Sequence, residues 1–351
     1  MFLMTVFAVS LATTALAGIQ QGVLGFNYGA TNEDGSCRGY HDFVRYFQHA
    51  KTLASTEGRN FTSARLYTSI QCGNTTRAEP ISAYKAAIDT NTSILVGLWA
   101  SSGNDHYTEE LISLSMANIM HGDAFVKLII GISVGSEDLY RSTTGGQGAD
   151  AGEIVGYIKR LETYIRNNLP SWKPIQIGHV DTYTAWIRPE NAAVVKAVKW
   201  LGHNSFPYWE SDKQNSIENA TNLFASALNQ TRQVAAQNLS ACGEEKEVWV
   251  TETGWPHAGK SQGDAVASVE NAQIYWVNVG CDLFQTSLNI FWYTLLDSNA
   301  DQFSQGIEFG LTRNSDISRP VFNLRCPSVP GFTTGECGCW YSYHRDGSNR
   351  G

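Results

Sequence analysis

The stretch VWVTETGWP, residues 248–256, places a carboxylate at the end of an apolar run. Its first three residues suit a buried β-strand, and Glu252 follows almost at once. Removing a carboxylate from water is costly unless it is paired, hydrogen-bonded or left near solvent. The fold must therefore offset the cost of Glu252, and the question is whether its role is structural or chemical.

Eight strand-like runs, this one included, follow one another along the chain, separated by longer stretches that are mostly helical or loop-like. Most are continuous apolar runs, which is typical of parallel strands buried on both faces. The runs are VLGFNYG (23–29), SARLYTS (63–69), SILVGLWA (93–100), FVKLIIGISVGSE (125–137), IQIGHVDTY (175–183), VKWLGHNSFP (198–207), EVWVTETGW (247–255) and LNIFWYTLLD (288–297).

The clearest helix is predicted between the fourth and fifth runs, where apolar residues recur at intervals of three and four. Asp150 and Glu153 form the pattern of a capping box at its start, and Pro170 ends it. A second helix is predicted from about Ser268 through VENAQIYWVNVGCDLF.

A strand–helix alternation repeated eight times, about 40 residues apart, indicates an α/β fold of the (β/α)8 TIM-barrel type. The alternative is an open, doubly wound sheet. The lack of a second domain-like segment and of a dinucleotide fingerprint favours the barrel. We predict one barrel domain over residues 18–325, preceded by a signal peptide (1–17) and followed by a cysteine-containing polar tail (326–351).

The bulk composition narrows the class of protein. The chain has 351 residues, of which 42% are hydrophobic and 17% charged, enough for a sizeable core. Its formal net charge of −8 and the lack of a Lys/Arg run argue against a nucleic-acid binder that relies on a basic field.

The N-terminal run MFLMTVFAVSLATTALAG is apolar but too short to span a bilayer, and its A-x-A sequence fits a cleavage signal. We predict a secretory signal peptide cleaved after Ala17. No later segment resembles a transmembrane helix, so we expect a protein outside the cell or held in a wall. Six N-x-S/T sequons agree with export and glycosylation: Asn60, Asn74, Asn91, Asn219, Asn229 and Asn238.

Seven cysteines have long spacings that match no zinc pattern. In an oxidising compartment some of them should form disulfides, and the odd count leaves at least one without a partner in the chain. The sequence leaves the pairing open. The positions are Cys37, Cys72, Cys242, Cys281, Cys326, Cys337 and Cys339.

Two carboxylates end predicted strands: Glu137 the fourth and Glu252 the seventh. The active site of such a barrel lies at the carboxyl ends of its strands, so both are expected in one mouth. A pair of this kind is the minimum apparatus for glycosidic bond cleavage, in which one residue protonates the leaving oxygen and the other attacks or activates water. The structural alternative, in which each is satisfied by a residue such as Arg65 or Arg141, is less favoured for two glutamates than for one.

Other strand-end residues are candidates for binding a sugar. Asp181 and Asn204 are polar and would need hydrogen-bond partners, which sugar hydroxyls could supply. A set of aromatic residues could stack on sugar rings, or could instead fill the top of the barrel. They are Tyr28, Tyr67, Tyr183, Tyr208, Trp209, Trp255 and Trp292.

Several segments, in order and at barrel spacing, resemble motifs of glycoside hydrolase family 17, which comprises 1,3-β-glucanases and related fungal cell-wall glucanosyltransferases. The match runs from about Val23 to Arg325 and is more similar to the secreted fungal branch than to the plant one. The segments are GFNYGA (25–30), RLY (65–67), LVGLWA (95–100), VGSE (134–137), NSFPYW (204–209), VTETGWP (250–256), NAQIYW (271–276) and FWYTLLD (291–297) with FGL (309–311).

The resemblance implies that Glu137 is the general acid/base and Glu252 the nucleophile of a retaining mechanism, in which the two carboxyl groups sit about 5–5.5 Å apart. Arg65 and Tyr208 are expected to donate hydrogen bonds to Glu252. Ser136 stands where the wider clan commonly has Asn, which weakens the expected contact with the sugar 2-hydroxyl. The substrate-binding residues we predict are Tyr28, Arg65, Tyr67, Ser136, Asp181, Asn204, Tyr208, Trp255 and Trp292.

Two weaker patterns suggest no cofactor. Residues 297–308 place Asp297 and Glu308 at the first and last positions of a calcium loop, but Gln302 stands where that loop requires Gly. The glycine-rich TTGGQGADAG (143–152) lacks the order of a phosphate-binding loop and is interpreted as a loop beside Glu137. We predict no metal and no organic cofactor.

The sequence as a whole predicts a secreted, monomeric endo-β-1,3-glucanase with a role in fungal wall remodelling. A glucanosyltransferase would use the same two glutamates and differ in what resolves the intermediate. A catalytically silent, glucan-binding wall protein is the alternative from another class, and it is disfavoured because both glutamates stand in their motifs.

Overall fold

The computed structural model describes residues 22–56, 59–74, 76–239, 243, 245–298, 305–313 and 315–327. The predicted signal peptide lies outside the described residues, and so does the predicted tail from Ser328 onward. So do Cys242, Cys337 and Cys339. Among the described residues, no helix combines the length and apolar character needed to cross a membrane.

Eight parallel strands form a closed barrel in which each strand pairs with the next along the chain and the eighth pairs with the first. The predicted (β/α)8 barrel is therefore confirmed. The strands are β1 (Leu24–Tyr28), β2 (Ser63–Leu66), β3 (Ser93–Leu98), β4 (Ile129–Ser136), β5 (Ile177–Thr182), β6 (Trp200–Asn204), β7 (Glu247–Glu252) and β8 (Ile290–Trp292).

The helices between the strands vary from single turns to 21 residues. A π-helical turn, Trp276–Gly280, links the last two. The helices are α1 (Tyr40–Lys51), α2 (Ala83–Thr90), α3 (Gly103–His121), α4 (Asp123–Val126), α5 (Asp138–Thr144), α6 (Ala151–Asn168), α7 (Tyr183–Trp186), α8 (Ala192–Ala197), α9 (Ile217–Gln237), α10 (Val269–Tyr275) and α11 (Cys281–Leu283).

Each strand lies within its predicted run, but most runs extend past the carboxyl end of the strand into the following loop. The fourth run also begins too early, because its first two residues belong to α4. The predicted helix is α6, and its capping box is present: the Asp150 side chain accepts from the Glu153 amide, and the Glu153 side chain accepts from the Asp150 amide. The glycine-rich segment joins α5 to α6.

Two apolar clusters stabilise the barrel. The larger fills the space between strands and helices. The smaller lies inside the barrel and centres on Trp200 and Trp249, whose rings stack with centroids 4.2 Å apart. Gly178 makes room for this pair, since a Cβ at that position would lie 2.2 Å from the Trp200 ring. Because alternate residues of a strand face opposite sides, the later inward positions of the same strands carry polar side chains towards the carboxyl end.

Two disulfides tie loops to the barrel. Cys37 and Cys72, with Cα atoms 5.3 Å apart, join the loops after β1 and β2. Cys281 and Cys326, 5.6 Å apart, join α11 to the C-terminal segment. Cys326, the first residue of the predicted tail, is buried.

Candidate active site

A cleft of about 1050 Å³ opens at the carboxyl ends of the strands, and it is lined by the last residue of β7 and by residues at the ends of, or in the segments after, the other seven strands. Glu137 and Glu252 both line it. This is the face on which barrels of this type carry their active sites, so the structure brings the two predicted carboxylates to one functional surface.

Glu252 ends β7 and is almost completely buried. The Arg65 guanidinium donates to its Oε1 at 2.5 Å through Nη1, and the Tyr67 hydroxyl also hydrogen-bonds to it. Arg65 lies against the face of the Tyr67 ring, 4.8 Å from its centroid. The cost of burying Glu252 is thus offset by an opposite charge and by hydrogen bonds.

Arg65 is itself held in place by two further neighbours. Its Nη1 donates to Asn27 Oδ1 at 2.7 Å, and its Nη2 donates to Ser136 Oγ at 2.9 Å. Asn27 is fixed in turn because its amide donates to the Thr251 carbonyl at 3.0 Å. Arg65 is therefore a rigid support that orients Glu252 from one side and Ser136 from the other.

Glu137 directly follows β4 and has a left-handed backbone, with φ 60° and ψ 22°. This conformation costs a non-glycine residue about 1–2 kcal/mol. The surroundings enforce it: the Glu137 amide donates to the Val180 carbonyl at 2.8 Å, and the Arg141 amide donates to the Glu137 carbonyl at 2.9 Å. Gly135, with φ 82°, precedes this turn, and a Cβ there would lie 2.0 Å from Asp138 Oδ2.

The Glu137 carboxyl group contacts one amide and one guanidinium. Asn204 Nδ2 donates to Oε1 at 3.1 Å, and Arg141 Nη2 donates to Oε2 at 3.1 Å. Thr251 fixes the Asn204 amide by donating to its Oδ1 at 2.8 Å. Burial and the charge of Glu252 raise the pKa of Glu137, while Arg141 and Asn204 oppose the rise. The two glutamates thus have surroundings that push their protonation states apart, as acid/base chemistry requires.

A buried polar group lies under the start of α5. His179 Nδ1 contacts the Val134 carbonyl at 2.6 Å, which can only accept, and Nε2 contacts Asp181 Oδ2 at 3.1 Å. Burial lowers the pKa of His179, but the hydrogen bond to Asp181 and the charges of Asp181 and Asp138 outweigh it, so that the pKa is raised. Asp181 also accepts from the Leu139 amide at 3.0 Å. This group fixes the backbone that follows Glu137.

The predicted substrate-binding residues fall into two sets. Tyr67, Ser136 and Asn204 line the cleft. Arg65 lies directly beneath, and the others are buried away from the lining. Those others are Tyr28, Asp181, Tyr208, Trp255 and Trp292.

The positions of these buried residues correct the expectation that they contact the substrate. Tyr28 faces α1, with its ring 5.0 Å from that of Phe47, and Trp292 packs 4.9 Å from Trp276. Both side chains occupy outward-facing positions of their strands, because alternate residues of a strand face opposite sides of the barrel. Tyr208, expected to donate to Glu252, instead donates to the Lys260 carbonyl.

Trp255 and Asp181 also have structural partners. Trp255 Nε1 donates to the Val266 carbonyl at 3.0 Å, and its ring packs against Tyr208. Asp181 belongs to the His179 group described above.

The sequence did not single out several lining residues, because they lie a few positions into the loops rather than at strand ends. Arg141 was considered only as an ion-pair partner. Tyr140 is partly exposed in the cleft and presents aromatic surface to it, as does Trp209, which the sequence named among the possible stacking residues. Other lining side chains that the sequence did not single out are Trp99, His106, Phe206, Tyr293 and Phe309.

Within the described ranges, one group of three side chains has the composition of a metal site: His257, Asp297 and Glu308. None of the three lines the cleft. The lining itself therefore shows no such group among the residues that the structure describes.

The model of the BtgE/BtgC glycoside hydrolase domain matches residues 25–309. A protein of Aspergillus oryzae named "Probable glucan endo-1,3-beta-glucosidase eglC" is 45% identical over 326 residues, which cover 91% of this chain and 65% of that protein. The chain thus spans just under two thirds of that relative's length. A "Glucan 1,3-beta-glucosidase" of Saccharomyces cerevisiae is 27% identical over 84% of this chain and 89% of its own.

Solved structures share the fold. The glycoside hydrolase family 17 β-1,3-glucanosyltransferase of Rhizomucor miehei superimposes with a TM-score of 0.66 at 24% identity, covering 87% of this chain and 98% of that one. An active-site mutant of that transferase in complex with laminaritriose gives the same TM-score and coverage at 25% identity. The chain belongs to the BtgE/BtgC glycoside hydrolase family, and the predicted membership of glycoside hydrolase family 17 is confirmed.

Proposed function

We propose that the protein is a retaining endo-β-1,3-glucanase. The observation that carries the proposal is the pairing of two glutamates in one cleft with opposite electrostatic surroundings. Glu252 is matched by Arg65, whereas burial and the charge of Glu252 raise the pKa of Glu137. A retaining glycosidase needs one carboxylate that attacks and one carboxylic acid that donates a proton.

In the first step, Glu137 donates its proton to the glycosidic oxygen, and the bond from that oxygen to the anomeric carbon breaks. A Glu252 oxygen forms a bond to the same carbon, giving a covalent glucosyl–Glu252 intermediate. Arg65 and the Tyr67 hydroxyl orient the attacking carboxylate. As the charge of Glu252 is consumed, the pKa of Glu137 falls, because that charge is one of the causes that raised it.

In the second step, Glu137 acts as a base. It takes a proton from water as the water oxygen attacks the anomeric carbon, and Glu252 leaves as a carboxylate. Attack on the face opposite to Glu252 restores the original anomeric configuration. Arg141 and Asn204 stabilise the ionised form of Glu137 that this step requires.

The substrate class follows from the family and from the relatives, whose names specify glucan 1,3-β-linkages. The cleft supports it, because Tyr140 and Trp209 offer partly exposed rings on which successive glucose units can stack. All six sequon asparagines are exposed or half-buried, as glycosylation would require. We extend the proposal to a secreted glycoprotein that acts on the glucan of a fungal wall, as a monomer and without a cofactor.

A glucanosyltransferase is the second candidate, and one observation favours it. The Rhizomucor miehei transferase superimposes with a TM-score of 0.66, compared with 0.60 for a β-1,3-glucanase of Cryptomeria japonica pollen. In a transferase the Glu137 base would activate a hydroxyl of a second glucan instead of water, with the two carboxylates in unchanged roles.

The deciding experiment is mass-resolved product analysis from a reduced laminari-oligosaccharide of defined length. Only shorter products would indicate a hydrolase, and products longer than the substrate a transferase. Binding without any product would refute both and support a structural glucan-binding protein. Proton NMR of the first product tests retention, because an inverting enzyme would release the α-anomer.

A further inference from the structure

His257, Asp297 and Glu308 meet behind the cleft wall. One nitrogen or oxygen atom of each lies within 4.8 Å of the others. His257 belongs to the loop after β7, and the two carboxylates belong to the segment after β8. Backbone hydrogen bonds already join the two: the His257 amide donates to the Glu308 carbonyl at 2.8 Å, and the Glu308 amide donates to the Ala258 carbonyl at 3.1 Å.

The His257 imidazole is buried, with 3% of its side chain exposed, and its Nε2 has no hydrogen-bond partner. The ring makes backbone hydrogen bonds to Gly310 and to its own main chain, which must therefore involve Nδ1. A proton on Nδ1 leaves a lone pair on Nε2, and this atom is 3.7 Å from Glu308 Oε2. A lone pair that faces a carboxylate oxygen is repelled unless a positive charge lies between them.

The two carboxylates are fixed and close to other acids. The Asp297 oxygens accept from the amides of Phe309 at 2.9 Å and Gly310 at 3.0 Å. Burial, with the charges of Glu308 and Glu33, raises the pKa of Asp297 to about 6. Each of these oxygens keeps a second lone pair that no protein donor fills in the hydrogen bonds of the described residues.

Neither of the two arginines near the group forms an ion pair with its carboxylates among the described residues. Arg38 donates to the main-chain oxygen of Asp297 at 3.0 Å rather than to its carboxylate, and Arg313 lies near His257. The protein thus presents one imidazole nitrogen and two carboxylates at a single point.

We propose that His257, Asp297 and Glu308 bind one divalent transition-metal ion, with Zn²⁺ as the expected occupant. Imidazole nitrogen together with carboxylate oxygen suits zinc, whereas calcium takes oxygen ligands only. Ligand atoms about 2.0–2.2 Å from one zinc ion lie roughly 3–4 Å from each other. The separation of 3.7 Å between Nε2 and Oε2 falls in this range, and Glu308, with 28% of its side chain exposed, provides the route of entry.

The bound ion would join the loop after β7 to the cleft-forming segment after β8. Ser298 follows one ligand and Phe309 follows another, and both residues line the cleft. Residues 297–308 alone do not reveal this arrangement, because the histidine comes from a different loop. The site is structural and stands apart from the proposed glucanase activity.

The test uses untagged, full-length secreted protein that has been treated with EDTA and dialysed. Isothermal titration with ZnCl₂ should show saturable 1:1 binding. Zinc at a hundred times the Kd should raise the Tm by about 5 °C, since a ligand that binds only the folded state stabilises it. CaCl₂ at equal concentration should produce neither effect.

Two variants and one control keep the proposal falsifiable. Glu308→Gln changes a partly exposed side chain and should weaken zinc binding at least tenfold, and His257→Gln should do the same. Glu190→Gln, at a surface residue remote from the site, should bind as the parent does. The proposal is overturned if the parent shows no saturable zinc binding, if Glu308→Gln binds like the parent, or if calcium binds as tightly as zinc.

Discussion

The two glutamates of the cleft are the same amino acid in two different settings. Glu252 lies at the end of a regular strand and is matched by a buried arginine that the barrel interior holds in place. Glu137 lies in a left-handed turn and contacts a neutral amide and a partly exposed arginine. The difference teaches that the role of each carboxylate in a catalytic pair is determined by its neighbours and not by the carboxylate itself.

The largest effect is expected for Glu252→Gln, which removes the attacking oxygen and keeps the shape of the side chain. We expect turnover of laminarin to fall by about 10⁴-fold or more, because the neutral amide that replaces the carboxylate cannot form the covalent intermediate. Steady-state kinetics measures the loss, and thermal unfolding checks that the fold is intact. Retention of more than a tenth of the parent activity would refute the nucleophile assignment.

Glu137→Ala removes the proposed acid/base. Turnover of laminarin should fall by about 10²–10⁴-fold, since the leaving oxygen then departs without a proton. Aryl glucosides with good leaving groups need no proton, so they should lose much less, and azide should accelerate the reaction because it attacks the glucosyl–Glu252 intermediate without help from a base. Equal losses on both substrates in a folded variant would contradict the acid/base role.

Arg65→Met tests whether Glu252 depends on its partner. A buried carboxylate without a counter-charge should lower the free energy of unfolding by about 3–5 kcal/mol and the Tm by about 10 °C. The matched control is Arg188→Met, since Arg188 pairs with Glu190 at the surface and should contribute less than about 1 kcal/mol. A Tm drop no larger than that of the control would show that Arg65 does not support Glu252.

The smallest effect is expected for Arg141→Gln, which changes the surroundings of Glu137 and leaves both glutamates in place. Arg141 lowers the pKa of Glu137, so Arg141→Gln should raise that pKa further. Glu137 must be protonated in the first step, and its ionisation gives the alkaline limb of kcat/KM against pH. That limb should therefore move to higher pH, while the peak value falls by less than about tenfold. A shift to lower pH would reverse the assigned direction.

The barrel could be predicted because continuous apolar runs and helix caps are local signals. The two glutamates could be predicted because strand ends meet on one face of this fold. The residues that form the wall of the cleft could not be predicted in the same way. Tyr28 and Trp292 face outward because of the strand pleat, and Tyr140 reaches the cleft from α5. The support of Arg65 by Asn27 joins residues on different strands, which no single segment reveals.

The left-handed turn at Glu137 has a consequence for interpreting related chains. The position of the acid depends on Gly135, a residue that contributes no side chain, because any Cβ there would overlap Asp138. A relative could keep both glutamates and every aromatic ring, yet aim its acid wrongly after a single glycine-to-alanine change. A survey that counts only carboxylates would classify such a chain as active. In this family the glycine two residues before the acid belongs in any test of whether a sequence still encodes an enzyme.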